Sequence, residues 1–198
     1  MNIMMQLLTK KDLLSLEQYA ENRDQIRADA IATKLLRNVY LGEHINFMFE
    51  NLETVKYQIQ EMLRIEKIFE PSEIQDELDV YTPLIPDGHN LKATMMIQYD
   101  DVEQRKEALA NMIGIEKKIY FQVKGADKVY PICNEDLDRE TDDKTSSVHF
   151  VRFEFTSAMV KDFINGSEVV FGSEHPAYQM EMILTSAQQK TLSKDFDL

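Results

Sequence analysis

The spacing of apolar residues changes partway along the chain, and that change restricts the fold more than any other feature. In the first third, Leu16, Tyr19, Ile26 and Ala30 recur at helical intervals. In the second half, apolar and polar residues alternate, which is the period of strands. Helices first and mostly antiparallel strands later predict an α+β fold, with N-terminal helices packed on a mostly antiparallel C-terminal sheet. A length of 198 residues suits a single domain, 1–198, helical over about 1–85 and sheet-rich over about 90–198.

Local signals fill in this outline. Thr9 with Asp12 predicts the start of a first helix running from about Lys10 to about Leu36. Arg23 interrupts its apolar stripe, and Arg23, Arg27 and Lys34 share one flank. "VYLGEHINFMFEN" reads as a strand or hairpin turning at Gly42. Asn51 caps a second helix whose buried stripe is Leu52, Val55, Ile59, Met62 and Leu63, with Thr54, Gln58 and Glu61 on its flank. "PSEIQDELDVY" is a third helix, with Ser72 and Gln75 as a capping box.

Strands follow, beginning with "LKATMMIQY"; a helix opened by Asp101 and Gln104 comes next. "KKIYFQV" and "KVYPI" read as a strand pair, and the acidic "CNEDLDRETDDKTSS" as a loop. "TSSVHFVRFEF" is a strand with two faces. His149 shares one with Val151, Phe153 and Phe155; Arg152 shares the other with Val148, Phe150 and Glu154. A short helix near Thr156 to Phe163, strands in "SEVVFGS" and "YQMEMIL", and a helix capped by Thr185 and Gln188 complete the chain.

Charge narrows the functional classes. A net charge of −13 repels phosphate backbones and anionic membranes, so neither nucleic acid nor membrane is an expected partner. One cysteine, Cys133, excludes an internal disulfide and Cys-rich metal sites within one chain. The start, "MNIMMQLLTKKD", lacks the features of a signal segment, and the expected location is the cytoplasm. The eleven methionines fit core packing better than soft-metal binding.

Four blocks, "FENLETVKYQIQEMLRIE", "LDVYTPLIP", "TSSVHFVRFEF" and "HPAY", lie in an order that resembles the bacterial domain of unknown function 3501 family over nearly the whole chain. Thr82 stands where many relatives carry Asn, which weakens any role for a side-chain amide there. The resemblance implies a link to redox, iron or peroxide metabolism through that family's gene neighbours. It makes rubrerythrin-like or iron–sulfur proteins the implied partners.

Two functional expectations follow. The first is an accessory protein that acts by binding such a partner. The second is a metal-dependent or acid/base enzyme with a His/Glu/Arg pocket at the helix–sheet border. For a divalent metal the candidate ligands are His149, His175, Glu50 and Glu61. For a pocket or anion site they are Arg23, Arg27, Lys34, Gln58, Arg152 and Tyr178. Beside these stand plainer structural roles: a buried His149 bonded at both nitrogens, and Arg152 in ion pairs. A homo-oligomer is a further expectation, marked by an exposed apolar patch.

Overall fold

The computed structural model describes residues 8–135, 141 and 143–197. Residues 136–140 and 142 of the expected acidic loop, and the first seven residues, lie outside them.

The first helix, α1 (Leu16–Arg37), begins later than Thr9 and Asp12 imply. Asp12 accepts from the Thr9 backbone N–H at 2.8 Å and hydroxyl at 2.6 Å, but this closes only a 3-10 turn over Lys10–Asp12. The helix is started by Ser15 and Gln18, each side chain accepting from the other's backbone N–H, at 3.3 and 3.1 Å. Tyr19, Ala30 and Arg37 are buried on its inner face; Leu16 and Ile26 are half-buried.

A hairpin of β1 (Asn38–Leu41) and β2 (Ile45–Phe49) follows. Its turn passes through Gly42 at φ +70°, where a Cβ would also stand 2.5 Å from the Tyr178 hydroxyl. In α2 (Leu52–Glu66), Asn51 Oδ1 accepts from the Thr54 N–H at 2.9 Å, as the sequence implies. In α3 (Pro71–Tyr81), the expected Ser72–Gln75 box does not form. Pro71 already occupies the first turn, so the capping position is Glu70, and Gln75 donates to Asp79 instead.

Two antiparallel sheets complete the body. One orders its strands β1, β2, β3 (Asn90–Ile97), β6 (Val148–Glu154), β5 (Ile132–Cys133). The other orders β4 (Ile119–Val123), β7 (Val169–His175), β8 (Tyr178–Ile183). The expected pairing of "KVYPI" with β4 shrinks to one bridge, Phe121 to Val129. Pro131 has no N–H to extend it, and Ile132–Cys133 pair with β6 instead. Helices α4 (Val102–Asn111), α5 (Ser157–Ile164) and α6 (Ser186–Leu192) start at Asp101, Thr156 and Thr185, whose side chains cap them.

The inner faces of the sheets meet over a phenylalanine core. Phe121 and Phe171 lie 4.4 Å apart by centroid, with Phe47 and Phe153 edge-on to them at 4.8 Å. A second, smaller core of Leu8, Val55, Ile59, Leu63, Ile74 and Leu78 sits among the helices. The N-terminal helices therefore cover the outer face of the five-stranded sheet, as expected for α+β. Among the described residues, no helix is long and apolar enough to cross a membrane.

Candidate functional site

Strand alternation sends Met48 of β2, Thr94 and Met96 of β3 and Phe150 of β6 away from the phenylalanine core. Glu50 follows β2 along the same face, its N–H donating to the Lys92 carbonyl at 2.8 Å. Above this floor stand Lys34 of α1, Val55 and Gln58 of α2, and Tyr81 and Leu84 at the end of α3. Between floor and roof is a cavity of about 320 Å³. It lies between the sheet and the smaller helical core, to which Val55, Tyr81 and Leu84 of its roof belong.

Glu50 is the most firmly held polar group of the cavity. Thr54 Oγ1 donates to Oε2 at 2.6 Å, and Thr94 Oγ1 donates to Oε1 at 3.1 Å. One hydroxyl comes from the helical layer and one from the sheet, so the carboxylate is fixed by both. Lys34 Nζ lies 5.5 Å from the Tyr57 ring centroid, a cation–π distance. Among the described residues, neither the Lys34 ammonium nor the Gln58 amide makes a hydrogen bond or ion pair within the chain. A cation, an anion and an amide thus edge a floor of two thioethers and an aromatic ring.

Of the ten residues singled out from the sequence, Glu50, Lys34 and Gln58 line this cavity. Glu61 lies at the α1–α2 seam instead. Arg23 donates to it from Nε at 2.7 Å and from Nη2 at 2.9 Å, the Tyr19 hydroxyl at 2.7 Å and Arg64 at 3.3 Å. The Arg23 hydrogen bonds hold the Glu61 carboxyl down at about 2, against the opposing effect of burial. Burial, then the bond to Glu61, pushes the Tyr19 hydroxyl far up. Arg27 is exposed on α1.

Arg152, on the outer face as expected, donates to Glu135 at 2.9 and 2.8 Å and also pairs with Glu154. Lys92 beside it donates to the Pro83 and Ile85 carbonyls at 2.8 Å, and burial lowers its pKa. This ties the outer face to the segment after α3.

His149 is fully buried on the inner face, the plainer of its two expected roles. Its Nδ1 lies 3.1 Å from Asn134 Nδ2, and its Nε2 lies 2.9 Å from the Ser146 carbonyl and 3.0 Å from Thr145 Oγ1. Glu116, also fully buried, stands 4.0 Å from Nδ1. The backbone around His175 makes its imidazole a turn bolt: Nε2 is 3.1 Å from the Ile113 carbonyl, and Nδ1 accepts from the Ala177 N–H at 3.2 Å. Tyr178 donates to the Leu41 carbonyl at 2.7 Å and so binds β8 to the β1–β2 turn. His149, His175, Glu50 and Glu61 thus keep four separate sets of partners. Among the described residues, no group of three or more His, Cys, Asp or Glu side chains is arranged to hold a metal ion.

Among the buried polar groups that sequence reasoning passed over are Arg37, Gln60 and Glu116. Arg37 donates to the Phe49 carbonyl at 2.7 Å, the Glu50 carbonyl at 2.9 Å and the Asp195 carboxylate. It fixes the backbone of Glu50, and its helical register with Tyr19 and Ala30 was the available signal. Gln60 exchanges bonds with both backbone groups of Leu14. Glu116 carries no periodic signal, since it sits in a 3-10 turn over Ile115–Lys118.

Comparison with known proteins gives three findings. A family model described as "Protein of unknown function (DUF3501)" matches residues 7–196. A crystal structure titled "novel protein of unknown function" from Burkholderia pseudomallei K96243 is similar at 45% identity, covering 96% of this chain and 100% of its own, with a TM-score of 0.90. No curated protein matches.

Proposed function

The chain belongs to the DUF3501 family of proteins of unknown function, and from that premise and the cavity we propose a cytoplasmic small-molecule-binding protein. The observation that carries the reading is the convergence of Lys34, Glu50 and Gln58 on a space of about 320 Å³ floored by Met48, Met96 and Phe150. That size and mixture suit a ligand site: a mostly apolar bed with a few placed polar groups. Lys34 would take an anionic end, Glu50 a cationic or hydroxyl end, and the thioethers an apolar or aromatic body. The complementary ligand is a small amphipathic zwitterion. The lining contains no imidazole and no guanidinium, which favours binding over the proton transfer expected of a His/Glu/Arg pocket.

A thermal-shift screen of aromatic and branched amino acids and related zwitterions tests this. Binding raises Tm in proportion to saturation. The expected result is a stabilising compound whose effect is lost in Lys34→Met and Glu50→Gln. No stabilising compound, or one indifferent to both substitutions, overturns the reading.

The accessory reading, partner binding tied to redox, iron or peroxide metabolism, has its own support. Ile65 near the end of α2, Phe69 between α2 and α3, and Val80 on α3 are exposed apolar side chains on a chain of net charge −13. Rubrerythrin-like or iron–sulfur proteins remain the proposed partners. Mixed size-exclusion chromatography with such proteins tests it; separate elution at micromolar concentration counts against it.

A further inference from the structure

Helix α1 faces solvent over most of its length: of its 22 residues, only Tyr19, Ala30 and Arg37 are buried. Ile31 and Leu35 stand 41% and 71% exposed. At helical spacing they share one face with Ala20, Asp24, Arg27 and Ala28, all exposed. We propose that this face is the contact between two copies of the chain, with the two α1 helices antiparallel and crossing between Asp24 and Arg27.

Charge selects a second copy as the occupant. The chain carries −13, so most of its surface repels another copy. This face sets Glu17 and Asp24 against Arg27, with half-buried Lys34 at its edge, and is nearly neutral. Among the described residues, neither Asp24 nor Arg27 forms an ion pair within the chain.

Direction follows from the order of residues. In an antiparallel pair, Asp24 meets Arg27 of the second copy, and the two-fold axis repeats that contact. The same register sets Ala20 against Ile31 of the second copy, a small side chain opposite a large one, as interlocking helices require. A parallel pair would place Asp24 against Asp24 and Arg27 against Arg27. The helix is about 33 Å long at 1.5 Å per residue, enough for several such layers.

Sedimentation equilibrium of the purified full chain, from micromolar to hundreds of micromolar, tests the pairing. Expected is a reversible dimer. Ile31→Glu should give a monomer, and Asp24→Arg, which gathers like charges at the crossing, should weaken association at least about tenfold. Asp24→Arg with Arg27→Asp should restore it to within about threefold, because the exchange preserves complementarity. Circular dichroism confirms that each variant keeps its helices. If Ile31→Glu loses helicity, the charge exchange at the exposed polar positions decides the matter. A monomer at every concentration, a dimer unmoved by Asp24→Arg, or no recovery in the double variant overturns the proposal.

Discussion

Replacing Glu61 with Gln removes the charge that joins α1 to α2 while keeping the side chain's size. In the native protein the carboxylate takes two hydrogen bonds from Arg23, one from Tyr19 and one from Arg64. Its folded pKa of about 2 lies below the ordinary 4.5, chiefly through Arg23. A carboxyl depressed in this way stabilises the fold above its unfolded pKa, and that contribution drains away as pH falls through its folded pKa. A tenfold difference in proton affinity corresponds to about 1.4 kcal/mol, which sets a ceiling of roughly 3 kcal/mol here. Arg23 and Arg64 are 29% and 39% exposed, so water screens the cluster. The expected loss at pH 7 is about 1–2 kcal/mol. For a chain of this size, that lowers Tm by about 2–8 °C. Urea unfolding of both proteins at pH 7, 5 and 3 is the assay. The gap should be full at pH 7 and 5 and clearly narrower at pH 3. A gap absent at pH 7, or just as wide at pH 3, would refute the reasoning.

Other substitutions probe other joints. Gly172→Ala places a Cβ 2.8 Å from the Tyr120 ring and 2.9 Å from the Met180 carbonyl; overpacking should cost about 1–3 kcal/mol in chemical denaturation, and an unchanged midpoint would contradict it. Arg37→Met abandons two carbonyls and leaves Asp195 buried without its cation, so about 3–5 kcal/mol should be lost, read as insoluble or partly unfolded protein. His149→Ala and His175→Ala should each lower Tm and leave elemental analysis of the purified protein unchanged. A stoichiometric metal lost from both, with Tm intact, would instead support the four-ligand metal site.

The legible parts of this molecule are those governed by period and by local capping. The two faces of β6 separate His149 from Arg152 as alternation requires, and Asn51, Asp101 and Thr185 cap helices because their oxygens lie near unpaired N–H groups. The start of α1 was misplaced because two capping pairs compete within ten residues, and only the backbone path chooses Ser15 over Thr9. Arg23, Lys34, Gln58 and Glu61 read as one polar border. They divide between a saturated ion cluster and an open cavity because the angle between α1 and α2 decides which charges meet. The hydroxyls that grip Glu50 come from Thr54 and Thr94, remote in sequence, and no pattern of spacing relates them. Tyr178 is a latch rather than a lining residue, since its partner is a backbone carbonyl.

The segment after α6 has a consequence for how local loosening spreads. Asp195 reaches back to the end of α1, Phe196 packs edge-on against Phe155 and Phe163, and the Asp197 N–H donates to the Gly88 carbonyl. Residues 195–197 thus clasp three joints at once: the end of α1, the turn before β3 and the flanks of α5. Loosening this one short segment releases helix, sheet and core contacts together, so disorder there spreads across the whole body rather than fraying one edge.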